Sequence, residues 1–175
     1  MTKKQLHIIQ LCIGLILYLL FRGVGEKIPT SLPSPTPTVV QTLLPIEVAT
    51  VSAVIDGDTI ELTDKRWVRY IGIDTPETKH PNKGVECFGK ESTQKNKDLV
   101  EGNTITMQRD VSETDKYKRL LRYVWVNDQF VNELLVREGY ALQSTFPPDV
   151  RFAELFKEAA EDARINKRGL WNSCN

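Results

Sequence analysis

Residues 47–63 read EVATVSAVIDGDTIELT, and this stretch decides the fold. Glu47–Ile55 and Thr59–Thr63 alternate apolar with polar positions and are rich in β-branched residues, the pattern of strands with one buried face. Asp56-Gly57-Asp58 between them is turn chemistry, so the stretch predicts strand, turn, strand. Working outward, Asp64-Lys65 makes a second turn and Arg66–Ile73 a third strand. Pro76 and Pro81 then break regularity and predict a loop from Asp74 to Cys87. Gly89–Val100 carries lysines, glutamates and few β-branched residues, and predicts a helix that stops at Gly102. Thr104–Arg109 and Leu120–Val126 read as the fourth and fifth strands, with a turn at Asn127-Asp128. Phe130–Arg137 and Val150–Asn166 show helical spacing of apolar residues. The expected class is α+β, mainly β: a five-stranded Greek-key barrel of the oligonucleotide-binding (OB) kind with three helices, spanning residues 47–175.

The segments before the domain have a different character. Lys3 and Lys4 precede an apolar run from Ile8 to Phe21 that only Gln10 interrupts. The run is shorter than the ~20 residues of a full membrane span. Residues 1–28 therefore read as a signal peptide or a signal anchor, with membrane contact through residues 6–21 if it is not cleaved. Residues 29–46, rich in Pro, Ser and Thr, read as an extended linker. The expected location is extracytoplasmic, either secreted or membrane-tethered. Outside the apolar run the cysteines are Cys87 and Cys174. In an exported domain these two can pair, or they can remain free thiols. A zinc site is not expected, because further ligands at suitable spacing are missing.

Charge and residue types narrow the chemistry. The chain has 23 basic and 23 acidic residues, but residues 1–46 hold four basic residues and one acid, leaving 19 basic and 22 acidic residues after them. A domain of that balance does not hold duplex DNA by bulk charge, so any nucleic-acid contact must use a few local cations. The two histidines, His7 and His80, lie in the targeting segment and the proline-bounded loop. General-base work therefore falls to a carboxylate. Asp56, Asp58, Asp74 and Glu77 gather at strand ends, where hard oxygen ligands can hold calcium or magnesium; Asp-Gly-Asp is equally an ordinary hairpin turn. Arg69 and Arg119 bring guanidinium groups suited to bidentate contact with phosphoryl oxygens. Strict alternation puts Arg69 and Asp74 on opposite faces of the third strand, so periodicity alone does not make them converge.

Five motifs in order carry a family resemblance: VSAVIDGDT (51–59), RYIGIDTPE (69–77), KHPNKG (79–84), DKYKR (115–119) and VNELLVREG (131–139). Together they resemble the thermonuclease, or staphylococcal-nuclease-like, family over about residues 47–172. The resemblance implies an OB barrel that hydrolyses DNA and RNA to 3′-phosphate ends; single-stranded substrate is the expected form, and a monomer is expected because nothing in the sequence demands an oligomer. It implies calcium held by the Asp58 and Asp74 carboxylates and the Thr75 carbonyl, with Asp56 supporting the metal. Glu77 would orient or deprotonate the attacking water, and Arg69 and Arg119 would bind the scissile phosphate. Lys116 and Tyr117 match positions that contact a terminal phosphate. The sequence departs from the family after Gly139, where Leu142–Pro148 replaces two closely spaced tyrosines and Phe146 offers the aromatic face. The alternative is a non-catalytic OB module that binds nucleic acid or a partner at the cell surface; such copies lose the carboxylates or arginines, and this chain keeps them.

Overall fold

The structure, a computed structural model, describes residues 45–78 and 84–174, all within a compact unit running from Thr42 to Asn175. The targeting segment 1–28 with its membrane contact, nearly all of the linker 29–46, both histidines and most of KHPNKG lie outside the described residues. Among the described residues, no helix is long and apolar enough to cross a membrane.

The opening stretch forms the spine of a barrel. Strand β1 (Ile46–Asp56) pairs antiparallel with β5 (Thr104–Gln108) through its first half and with β2 (Thr59–Leu62) through its second. Register irregularities between Val51 and Ala53 and between Val54 and Asp56 bend it, as extra residues in one strand do. One strand thereby serves two sheets. Strand β3 (Trp67–Tyr70) continues antiparallel from β2, and β6 (Leu120–Val126) from β5. A parallel pairing of β3 with β6, Val68 to Leu120 through Tyr70 to Arg122, closes the barrel. The inward residues Val51, Ile60, Leu62, Val68, Ile105, Met107 and Val124 are essentially without solvent contact.

Three helices pack outside: α1 (Gly89–Val100), α2 (Val131–Arg137) and α3 (Ala153–Ile165). An aromatic cluster of Tyr123, Trp125, Phe130, Phe152 and Phe156 joins β6 to α3; Trp125 and Phe130 stack at 4.5 Å, and Tyr123 meets Phe152 edge-on at 4.7 Å. A fully buried side chain the size of Phe156 contributes about 1.5–3 kcal/mol of hydrophobic stabilisation. A short α4 (Leu170–Ser173) follows, and a disulfide between Cys87 and Cys174 ties it to the loop before α1.

The five barrel strands and three main helices match the sequence expectation, with one consequential exception. The third strand does not run from Arg66 to Ile73. It stops at Tyr70, turns, and resumes as the two-residue β4 (Ile73–Asp74), which pairs with β8 (Leu142–Gln143). Gly72 makes the break: its φ is +79°, and a Cβ there would lie 2.4 Å from the Phe156 ring. Phe130, expected as the first residue of a helix, instead belongs to the two-residue strand β7 (Gln129–Phe130) against β6.

Candidate active site

The break at Gly72 changes what β3 can reach. With the chain turned back, Arg69 Nη2 donates to Asp74 Oδ1 at 2.7 Å, and Arg69 Nη1 lies 2.8 Å from Asp58 Oδ2. Nη1 also donates to the Ile73 carbonyl at 3.0 Å. The guanidinium is thus fixed between two carboxylates, one of which, Asp74, strict alternation would place on the opposite face from it.

Asp58 is held by the turn chemistry of the opening stretch. Its own N–H donates to Asp56 Oδ1 at 3.2 Å, closing a local Asx-type turn. The Thr75 N–H and hydroxyl donate to Asp58 Oδ2 at 2.9 and 3.1 Å, and the Thr59 hydroxyl donates to Oδ1 at 3.1 Å. Gly57 is needed because Thr75 comes so close: an added Cβ would lie 2.6 Å from its hydroxyl. Burial pushes the Asp58 carboxyl up to about 7 against the lowering pull of Arg69, and the charge of Asp56 adds to the rise. Glu77 is likewise raised above the ordinary carboxylate range, first by burial and then by the charges of Asp56 and Asp74. Its N–H is anchored on Glu86 Oε2 at 3.1 Å.

Arg119 arrives through the barrel closure. It immediately precedes Leu120, which pairs with Val68, while Arg69 pairs across β2 with Thr59. Arg119 Nη1 donates to the Thr59 hydroxyl at 3.3 Å, so Asp58, Thr59 and Arg119 form a chain. Asp115 shapes the approach: one oxygen accepts the N–H groups of Tyr117 and Arg119, and the other accepts Arg119 Nε at 2.7 Å. Burial works to raise the Asp115 carboxyl, but these bonds hold it below its ordinary value. Lys116 Nζ and Arg119 Cζ lie 4.9 and 5.5 Å from the centre of the exposed Tyr117 ring. Beside the arginines opens a cleft of ≈ 210 Å³, lined among others by Arg69, Arg119, Leu121, Ser144 and the exposed Phe146.

The structure therefore brings Asp56, Asp58, Arg69, Asp74, Thr75 and Arg119 together and puts Glu77 in the same field of charge. Cys87 and Cys174 are bridged instead of joining this cluster. Sequence reasoning missed Thr59 as the link between Asp58, the partner of Arg69, and Arg119, and Asp115 as the residue that holds Arg119. Asp115 had a signal, standing four residues before Arg119 in DKYKR; Thr59 becomes meaningful only once its neighbours across the barrel are known.

The donor set suits a hard divalent cation. Among the described residues, no three acidic, histidine or cysteine side chains form a metal cluster by themselves. The two carboxylates that share the Arg69 guanidinium are oxygen donors of the kind such an ion accepts, with water completing its shell.

A closed five-stranded barrel with three outer helices, and acids and arginines converging at strand ends, defines the class as an OB-type barrel with a charged rim. The chain belongs to the staphylococcal nuclease homologue family, whose family model matches residues 67–173. It is 37% identical over 128 residues to the SPbeta prophage-derived endonuclease YokF of Bacillus subtilis, covering 70% of this chain and 43% of that protein. It is 36% identical over 128 residues to endonuclease YncB of the same organism, covering 70% of this chain and 61% of that protein. The thermonuclease of Staphylococcus hyicus is 36% identical over 124 residues, covering 69% of this chain and 73% of the relative. The chain thus spans less than two thirds of the length of the two Bacillus relatives.

Proposed function

We propose that this protein is a calcium-dependent nuclease that hydrolyses DNA and RNA to 3′-phosphate ends. The observation that carries the reading is the convergence of Arg69 and Arg119 with Asp58 and Asp74 at one rim of the barrel. The endonuclease and thermonuclease relatives support it.

In this reading the scissile phosphate lies in the cleft beside both guanidiniums. Arg69 and Arg119 bind its non-bridging oxygens and stabilise the charge that builds there in the transition state. Asp58, Asp74 and the Thr75 carbonyl would hold the cation, which supplies charge neutralisation at the phosphate. Glu77, with its raised proton affinity, accepts a proton from water as the new oxygen–phosphorus bond forms. The bond from phosphorus to the 5′ oxygen breaks, and that oxygen takes up a proton from water, leaving a 5′-hydroxyl on one fragment and a 3′-phosphate on the other. The exposed faces of Phe146 and Tyr117 favour unstacked bases and hence single strands. The protein acts as a monomer outside the cytoplasm, secreted or tethered by its N-terminal segment.

The test is digestion of single-stranded DNA and of RNA by the purified protein, with calcium and with chelator, followed by analysis of the fragment ends. Cation-dependent cleavage to 3′-phosphates is the expected result; uncleaved substrate in calcium would overturn the reading.

A further inference from the structure

Helix α1 turns two polar side chains into the interior. Its buried residues are Gly89, Ser92, Asn96 and Val100, one stripe at helical spacing. Ser92 and Asn96 are both fully buried. Buried polar groups are costly unless bonded, and both are bonded, but to different parts of the molecule. The Ser92 hydroxyl donates to the Tyr140 carbonyl at 2.6 Å. The Asn96 amide nitrogen donates to the Asp56 carbonyl at 3.1 Å, at the start of the turn that presents Asp58.

The other end of the Asn96 amide is fixed as well. The Tyr70 hydroxyl, also buried, donates to Asn96 Oδ1 at 2.9 Å. That bond sets which end of the amide faces the turn, so that a donor meets the Asp56 carbonyl. Tyr70 holds the turn a second time through its backbone, whose N–H donates to the Asp58 carbonyl at 2.9 Å. One residue earlier in β3 stands Arg69, the partner of Asp58 and Asp74. The Asp56-Gly57-Asp58 turn is therefore gripped at its first carbonyl by Asn96 and at its last by Tyr70, and the two grips are bonded to each other.

We propose that Asn96, oriented by Tyr70, is a positioning residue that sets the Asp56–Asp58 turn in the geometry a divalent cation needs, an inference that rests on the cation-assisted reading above. It acts through the turn and touches neither cation nor substrate. Groups that orient ligands from behind typically govern metal affinity by about 10–100-fold. A residue serving only to fill the interior would change stability and leave that affinity alone.

Calorimetric titration of calcium chloride into the metal-free full chain tests this, alongside thermal melts in chelator. Asn96→Ala is expected to weaken calcium binding by about 10–100-fold. Tyr70→Phe, which frees the amide to turn, is expected to weaken it less and in the same direction. Ser92→Ala, a buried polar loss on the same helix whose bond goes to the Tyr140 carbonyl and not to the turn, is expected to lower the melting temperature without moving calcium affinity. Should Asn96→Ala not fold, Tyr70→Phe against Ser92→Ala carries the comparison. Wild-type calcium affinity in the Asn96 and Tyr70 variants, whatever their melting temperatures, would overturn the proposal; so would equal weakening by Ser92→Ala. A wild-type protein that binds no calcium would overturn the cation reading itself and this inference with it.

Discussion

Arg69 and Arg122 stand on the two strands that close the barrel, and each sits between two carboxylates. Arg69 faces Asp58 and Asp74; Arg122 faces Glu47 and Glu113 and donates to the carbonyls of Glu113 and Leu121. The arrangements look alike and their acids behave oppositely. The Glu113 carboxyl is held below its ordinary value, chiefly by the hydrogen bond from Arg122. The Asp58 carboxyl is pushed up to about 7 by burial, although Arg69 lies 2.8 Å away. Glu113 keeps half of its side chain in water, whereas Asp58 keeps 7%. An ion pair at the surface satisfies its acid. A buried acid beside a second acid, Asp56, is costly to ionise even with one guanidinium at hand, and a further cation nearby would favour its charged form. The first pairing holds structure together; the second leaves room for chemistry.

The largest effects should follow from groups that meet developing charge. Arg119→Ala is expected to lower kcat roughly 10²–10³-fold, the usual cost of losing one transition-state donor. Glu77→Gln should fall in the same range or below it, with substrate affinity little changed; steady-state kinetics on single-stranded DNA separates the two parameters. Gly57→Ala comes next. Its Cβ would meet the Thr75 side chain at 2.6–2.7 Å, so Thr75 must shift away from Asp58, and calcium titration should show binding about tenfold weaker.

The pH response separates the two arginine sites more finely. In the metal-free protein Asp58 titrates near 7 instead of 3.8. Between these values the native state holds a proton that the unfolded chain has released. Its contribution to stability is thus complete below the lower value and lost as pH rises to the higher one. Chemical denaturation in chelator should show that downward slope, and Asp58→Asn should flatten it. Glu113 has the opposite sign: its lowered carboxyl stabilises above the ordinary glutamate value of 4.5 and loses that contribution as pH falls below it. Glu113→Gln should cost least, no more than about 1 kcal/mol, because the pair is exposed on its acidic side.

Much of the fold was legible in the sequence, the contrast between Arg69 and Arg122 was not, and the illegible part has a physical cause. The turn at Asp56–Asp58, the helix over Gly89–Val100 and the strand over Leu120–Val126 all follow from local patterns. Asp58, Asp74 and Arg69 stood out as residue types suited to phosphate and metal. Their convergence did not, because alternation holds only along an unbroken strand. Gly72, pressed by Phe156 from a helix more than eighty residues later, breaks that strand. The Arg119 approach depends on β3 pairing with β6, a parallel closure between strands some fifty residues apart that no local period records. The Asn96 grip left a trace in the Ser92–Asn96 spacing, polar residues four apart on what proves to be the buried face of α1.

The most direct measurement compares Arg69→Ala with Arg122→Ala in one calcium-dependent assay on single-stranded DNA, with rates expressed per folded molecule and stability followed in parallel. Arg69→Ala should lose roughly 10²-fold or more in rate. Arg122→Ala should keep its rate within a few-fold while losing roughly 1–3 kcal/mol of stability, since two carbonyls and two carboxylates lose their partner. An Arg69→Ala protein that cleaves as fast as the wild type, or an Arg122→Ala protein that folds normally and does not cleave, would contradict the assignment of the site to the Asp58–Arg69 end of the barrel.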